Sequence, residues 1–254
     1  MLTDGLRREV REAGFGVSRA LISTTAAASY LEALNDLTKL QAAGKLQFSD
    51  KGLIHSPMFL RNEFMSLLDS EALCSVVDEI LDRNAILYAF STSTVAPKDT
   101  NYAGSIHVDS PRVIPGYITN LGFIIALTEF TAENGATQML PYSFERTEPP
   151  TESEFSNNAV AVLMKPGDAI VFNCRSWHRS TPNRTNTWRA SITLNFCRSY
   201  MRQRFDYPRM ISKSDALTLS SRQRRLLGFN VQMPISYDEF SAPMELRKYK
   251  PNQG

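Results

Sequence analysis

Between residues 85 and 200, short runs of β-branched and aromatic residues alternate with turn-forming residues. The runs are residues 86–95, 118–128, 160–164, 169–174 and 189–197. The turns include Asn134 followed by Gly135, and Pro166 followed by Gly167. Many short strands separated by turns favour a sandwich or jelly roll over alternating strand–helix–strand units. The sequence therefore predicts a mainly β protein with a jelly-roll core at roughly 85–200.

The N-terminal third differs in character from this β region. Residues 21–40 and 71–81 have apolar side chains at helical spacing, whereas residues 14–17 could form a short entering strand. Residues 46–57 are irregular and could form a loop over a site, and residues 221–227 predict a short basic helix. We find no internal repeat or linker, so we predict one domain over residues 1–254, with the N-terminal helices flanking one sheet.

Composition narrows the possible partners. The 28 basic and 26 acidic side chains give a net charge of +2, too small to indicate nucleic acid or an anionic membrane. The sequence has no apolar run long enough to span a bilayer, and residues 1–10 lack a hydrophobic signal core. Three distant cysteines, Cys74, Cys174 and Cys197, suit core thiols in a reducing compartment. We expect a cytoplasmic protein with a small-molecule substrate and no nucleic-acid or membrane partner. No pattern indicates the oligomeric state.

A histidine and an aspartate separated by one residue indicate the chemistry. On a strand, His107 and Asp109 would project from the same face and could bind one metal together. Such a pair alone arises often by chance, but one of the chain's only two other histidines, His178, follows a predicted strand. Two imidazoles and one carboxylate make the facial triad of non-haem Fe(II) oxygenases. Its open positions admit a bidentate cosubstrate and dioxygen.

Arg189 provides a second indication. It lies eleven residues after His178 with a turn between them, so a hairpin would place the two opposite each other on adjacent strands. A guanidinium there can bind the distal carboxylate of 2-oxoglutarate. Along residues 189–196 polar and apolar side chains alternate, which predicts one face toward a polar cavity, although a solvated face gives the same pattern. Ser191, on that polar face, is a predicted second donor.

Several linked motifs resemble the phytanoyl-CoA dioxygenase family. They are His107-Val-Asp109, residues 125–141 (IALTEFTAENGATQMLP), residues 167–172 (GDAIVF), His178, Arg189 and residues 226–229 (LLGF). The resemblance covers roughly residues 14–229. It implies a double-stranded β-helix (a cupin-like jelly roll), Fe(II) bound by His107, Asp109 and His178, and 2-oxoglutarate anchored by Arg189. Residues 141–144 read Pro-Tyr-Ser-Phe where the family usually has Pro-Gly-Ser-His, so the local turn is expected to differ.

Other polar residues are weaker candidates. Thr92 and Thr94, on the strand before the metal motif, could donate to the cosubstrate, although the pattern favours plain strand residues. Candidate substrate contacts are Arg112, Tyr142, Asn173 and Arg198. His55 is interpreted as structural or exposed.

These patterns predict an Fe(II)- and 2-oxoglutarate-dependent dioxygenase that uses O2 to hydroxylate an unactivated C–H bond of a small polar metabolite or natural-product intermediate, releasing succinate and CO2. Desaturation, cyclisation and epimerisation use the same cofactors and stay open. A non-catalytic cupin-like protein that binds a metal or ligand is an alternative of another class, and Arg189 argues against it because simple metal binding does not require this residue.

Overall fold

The structure is a computed structural model that describes residues 4–46 and 49–247. Its strands are β1 (Phe15–Ser18), β2 (Ser49–Asp50), β3 (Leu53–His55), β4 (Ile86–Val95), β5 (Asn120–Ala126), β6 (Thr137–Met139), β7 (Val160–Ala161), β8 (Ala169–Asn173), β9 (His178–Ser180) and β10 (Arg189–Cys197). Its α-helices are α1 (Asp4–Glu12), α2 (Thr24–Ala42), α3 (Asn62–Leu67), α4 (Glu71–Ile80), α5 (Glu152–Asn158), α6 (Tyr207–Met210), α7 (Lys213–Thr218), α8 (Ser221–Leu226) and α9 (Tyr237–Ser241). Short 3₁₀ turns occur at Pro57–Phe59, Tyr102–Gly104 and Met244–Leu246.

The strands form two antiparallel sheets. The large sheet has the order β1-β8-β5-β10-β4-β3-β2, and the small sheet has the order β7-β6-β9. Non-consecutive strands are therefore neighbours in both sheets, as in a jelly roll. The predicted fold class, a double-stranded β-helix with flanking helices, is confirmed.

Strand β10 is central in the large sheet, because it pairs with β5 on one side and with β4 on the other. Its polar and apolar side chains alternate because one face of the strand meets the hydrophobic core and the other meets a cavity. Ala190, Ile192, Leu194 and Phe196 belong to the main hydrophobic core. The polar residues between them line a cavity on the opposite face, as predicted.

The N-terminal helices cover the apolar face of the large sheet. Side chains of α2 and α4, such as Leu34 and Val77, share one core with strand residues such as Phe90 and Ile192. Both helices begin at a capping serine, since Ser23 and Ser70 each accept a hydrogen bond from a backbone N–H of the first turn. Within the described residues, no helix is long and apolar enough to cross a membrane.

Residues 49–55 differ from the prediction. They form the hairpin β2–β3, which extends the edge of the large sheet by pairing β3 with β4. Leu53 and Ile54 are buried there. The hydrophobic segment is too short to show a periodic pattern, and only its neighbour β4 makes it a strand.

The three cysteines are buried thiols.

A second apolar cluster lies on the small-sheet side of the large sheet. It contains Phe172, Ile124, Phe130 and Met139. The Phe172 ring lies so close to β5 that a Cβ atom on Gly122 would be 2.3 Å from Cζ of this ring. Gly122 therefore provides the space in which Phe172 packs.

We predict that Gly122→Ala lowers the free energy of unfolding by about 1–3 kcal/mol, because the added methyl group overpacks the Phe172 ring. Urea denaturation measures the change. Gly5→Ala is the matched control: Gly5 lies in α1, and a methyl group added there would have no neighbouring atom within 4 Å, so the stability should be unchanged or slightly higher. A Gly122→Ala protein as stable as the native one would contradict this packing.

Candidate active site

Two backbone hydrogen bonds place His107 beside His178. The two residues form an isolated antiparallel bridge in which each N–H donates to the other's carbonyl, with N···O distances of 3.0 Å. The expected strand around His107 and Asp109 is therefore only a bridge at the end of a loop. Asp109 is held separately, because its N–H donates to the carbonyl of Cys174 at 2.9 Å. The two anchors fix both residues next to His178.

The side chains of His107, Asp109 and His178 converge. Their ligand atoms lie within 4.8 Å of one another, and the imidazole centroids are 4.2 Å apart. The three ligand atoms are close enough for one ion to bind them together after small adjustments of the side chains. Nδ1 of His107 lies 2.8 Å from the Ser105 carbonyl, and Nδ1 of His178 lies 3.0 Å from the Ser176 carbonyl. Both Nδ1 atoms therefore donate to carbonyls, which leaves each Nε2 free as a ligand.

The electrostatic environment of His178 also suits a metal. Burial, reinforced by the neighbouring His107, lowers the pKa of His178 to about 4. The ring is thus neutral at physiological pH, which is the form that a metal ion binds. The Phe172 and His178 rings pack edge to face, with their centroids 5.1 Å apart. This donor set fits an iron ion.

Arg189 lines the same cavity and is 2% exposed. Three of its five N–H groups donate to neutral acceptors: Nε to the Gly135 carbonyl at 3.1 Å, and the two Nη atoms to Ser191 Oγ at 3.1 Å and Ser180 Oγ at 2.8 Å. Its guanidinium lies over the Phe130 ring at 4.5 Å. Among the described residues, no carboxylate lies within 4.0 Å of it. Burial lowers the pKa of Arg189 to about 9, which still leaves it charged at neutral pH.

The structure brings Arg189 and His178 to one cavity by a route other than the predicted one. The expected hairpin is wrong, because β9 pairs with β6 in the small sheet while β10 lies in the large sheet. The two residues are on facing sheets rather than on adjacent strands. Their link is Ser180, which lies on the same face of β9 as His178 and contacts Arg189. Sequence spacing cannot distinguish a hairpin from a crossing between sheets.

Thr92 and Thr94 do not reach the cavity. In the register of β4 with β10, Thr92 is opposite Ile192 and Thr94 is opposite Ala190, both of which face the apolar core. The cavity is lined instead by their neighbours Ser91 and Ser93, opposite Thr193 and Ser191. The prediction was wrong by one residue, because all residues of this stretch are hydroxyl-bearing and its pattern does not identify the inner face.

The four candidate substrate contacts lie outside the lining of the metal cavity. Arg112 is exposed, and Arg198 donates to Asp82 at 3.0 Å. The side-chain oxygen of Asn173 accepts from the backbone of Arg175. Tyr142 is 75% exposed with a φ of 59°, in the region that favours glycine, so the turn keeps a backbone suited to the family's usual glycine.

Sequence reasoning missed other polar residues of the cavity, namely Ser180, Ser91, Ser93, Tyr88, Tyr102 and Arg204. Ser180 could have been found, since it is two residues from His178 and shares its face if that segment is a strand. Desolvation of its hydroxyl group and the charge of Asp109 raise the pKa of Tyr102. Arg204 has no sequence signal, because it lies in irregular structure after β10.

The model of the phytanoyl-CoA dioxygenase (PhyH) family matches residues 10–191. The chain belongs to this family. The matched residues include strands β1 to β9, the start of β10, all three converging side chains and Arg189. The family is one of Fe(II)- and 2-oxoglutarate-dependent oxygenases, so the chain is an enzyme of that superfamily.

The chain is also similar to individual proteins of known sequence. The uncharacterized protein Rv1501 of Mycobacterium tuberculosis is 31% identical over 85% of this chain and 79% of its own length. The dioxygenase ALT11 of Alternaria alternata is 33% identical, over 44% of this chain and 36% of that protein.

Two solved enzymes of nogalamycin biosynthesis share the fold. The carbocyclase SnoK has a TM-score of 0.63 at 18% identity, covering 83% of this chain and 91% of its own. The epimerase SnoN, solved with Fe3+, α-ketoglutarate and a nogalamycin compound, has a TM-score of 0.62 at 16% identity, covering 76% of this chain and 82% of its own.

Removing either candidate histidine ligand should weaken metal binding by at least about 100-fold, because two donors remain of three. We expect one equivalent of Co(II) on the native protein and none retained on His107→Ala or His178→Ala after dialysis. His55→Ala is the control, since His55 contacts Ser91 and Asp50 rather than the cluster. Circular dichroism checks the fold. A full equivalent on either variant would remove that histidine from the ligand set.

Proposed function

We propose that this protein hydroxylates an unactivated C–H bond of a small polar metabolite, with iron held by His107, Asp109 and His178 and with 2-oxoglutarate held by Arg189. The observation that carries the proposal is the buried charge of Arg189. Taking a guanidinium out of water costs several kcal/mol unless an anion compensates it. Its partners in the described residues are neutral, and it lines the cavity that the three ligands line.

The spacing along β9 supports a dicarboxylate. His178 and Ser180 share the buried face of this strand, two residues apart, which corresponds to about 7 Å. Ser180 Oγ accepts from Arg189, so the metal site and the guanidinium are separated by a span comparable to a five-carbon diacid. Two N–H groups of Arg189 are left to donate to a carboxylate after the three protein contacts.

Iron with 2-oxoglutarate bound supplies the activation of dioxygen for attack on the C–H bond. In the overall reaction, one oxygen atom enters succinate and the other the new hydroxyl, and 2-oxoglutarate loses CO2. Two electrons come from 2-oxoglutarate and two from the C–H bond. The protein's residues orient these reactants. Asp109 supplies negative charge to the metal site, and Phe172 and Ile124 form an apolar wall of the cavity that excludes water.

Hydroxylation is preferred over desaturation, cyclisation and epimerisation as the simplest outcome of this chemistry. The polar row on β10 supports a polar substrate, because hydroxyl and amide groups replace the water that such a molecule loses on binding. A ligand-binding protein without turnover is the alternative, and succinate formation distinguishes the two.

Arg189→Gln should abolish the stabilisation of the protein by 2-oxoglutarate. At a concentration of 100 Kd this stabilisation is about 2.7 kcal/mol, and loss of a buried charged contact costs about 2–5 kcal/mol of binding. Thermal unfolding with Zn(II), with and without 2-oxoglutarate, measures it. Arg179→Gln is the control, since Arg179 lies on β9 but points outward to Glu152. An equal shift in the native and Arg189→Gln proteins would rule out Arg189 as the anchor.

Asp109→Ala should reduce succinate formation to background, because two imidazoles alone retain iron weakly. Succinate and iron content are measured with Fe(II), 2-oxoglutarate and air. Asp99→Ala should behave as the native protein, since Asp99 pairs with Lys51 away from the metal cavity. Native-like succinate yield from Asp109→Ala would exclude this carboxylate from the ligand set. Absence of succinate from the native protein would favour the binding-protein alternative.

A further inference from the structure

The cavity extends past the part that 2-oxoglutarate would occupy, because its Asn195 end lies in register, through Gly122, with Phe172, the ring that packs on His178. Its β10 row begins at Arg189 and continues through Ser191 and Thr193 to Asn195. The six residue-to-residue steps from Arg189 to Asn195 correspond to about 20 Å of strand. A single molecule of 2-oxoglutarate is too short to extend from one end of this row to the other. The Asn195 end is therefore left for another molecule.

A β-bulge shapes that end. In the register of β10 with β4, Asn195 is opposite Ala89 and Phe196 is opposite Leu87, so Tyr88 is an extra, unpaired residue. Tyr88 lines the cavity together with its neighbour Ala89. Bulges redirect side chains and occur often beside active sites. Here the bulge adds an aromatic side chain to the cavity wall without disturbing the apolar face of the strand.

The bulge also positions Arg204. The backbone N–H of Arg204 donates to the carbonyl of Tyr88 at 3.0 Å. The Arg204 side chain lines the cavity, yet it is largely exposed, which places it at the mouth. Across the described parts of the chain, no carboxylate lies within 4.0 Å of its guanidinium. Of the residues described, Asp109 is the one acid in the cavity lining, and the proposed metal site uses it.

Cavity volume favours substrate binding at this mouth. The cavity measures about 100 Å3. This is the liquid volume of roughly three water molecules, a space that bound 2-oxoglutarate would fill. The substrate must then lie toward Tyr88, Tyr102 and Arg204. Tyr102 is about half exposed, and its ring can cover a ligand there.

We propose that the substrate carries an anionic group, a carboxylate or a phosphate, that pairs with Arg204 at the mouth of the cavity. This inference rests on the proposed function, because it assigns Arg189 to 2-oxoglutarate and Arg204 to the substrate. A planar guanidinium suits either anion through two parallel hydrogen bonds. Asp50, the other acid near Tyr102, lies 3.4 Å from His55 Nε2 and is not within 4.0 Å of the Arg204 guanidinium.

The test compares matched charged and neutral probes on the full chain loaded with Zn(II) and saturating 2-oxoglutarate. Ligand-observed NMR gives the dissociation constants of propionate, propionamide and methylphosphonate. On the native protein, at least one anion should bind about tenfold or more tightly than propionamide, which is about 1.4 kcal/mol. Whichever of the two anions has the lower dissociation constant indicates whether the substrate carries a carboxylate or a phosphate. Equal binding of all three probes would overturn the proposal.

Variants test whether Arg204 causes the preference for anions over propionamide. Arg204→Gln should remove it, and Arg204→Lys should keep part of it because the charge remains. Arg202→Gln should keep all of it, since Arg202 is exposed and outside the cavity lining. An undiminished preference in Arg204→Gln would overturn the assignment. The thermal shift by 2-oxoglutarate is measured on the same samples. Its absence from the native protein contradicts the proposed function, whereas a normal shift without an Arg204-dependent preference contradicts only the anion site.

Discussion

The pairing of β10 on both sides fixes which of its faces meets the core and which meets the cavity. Hydrogen bonds to β4 and β5 hold Ile192 and Leu194 against the helices, so Arg189 and Ser191 must face the other way. A shift of one residue would bury the polar set in the core and expose the apolar set to the cavity. Folding and the chemistry of the site therefore depend on the same register.

Local patterns were enough to predict much of this arrangement. Composition and the spacing of apolar residues predict the bounds of β4 and β10, the start of β8 and the two long N-terminal helices. They also predict the alternation of polar and apolar side chains along β10. The clustering of His107 and Asp109 with His178 in space agrees with the expectation, although the structure holds the motif by a bridge rather than a strand. Each of these features is decided mostly by residues close together in the sequence.

Features set by distant partners were not predictable. Thr92 and Ser93 are alike in polarity, so only the pairing of β4 with β10 decides which one faces the cavity. Strand β3 becomes a strand because it pairs with the exposed edge of β4. The position of His178 relative to Arg189 in space depends on how the two sheets pack on each other. The number of residues between them does not determine that packing. Arg204 reaches the cavity through a bulge, and a bulge has no clear pattern in this sequence.

The bridge between His107 and His178 joins a loop to the edge strand of the small sheet. An ion bound by both side chains would act as a cross-link between segments far apart in sequence, much as a disulfide closes a loop. Cross-linking lowers the entropy of the opened state and so suppresses local opening of this loop. Iron binding and ordering of the loop before β5 would then be thermodynamically coupled. The supply of iron would therefore affect how long the protein resists proteolysis.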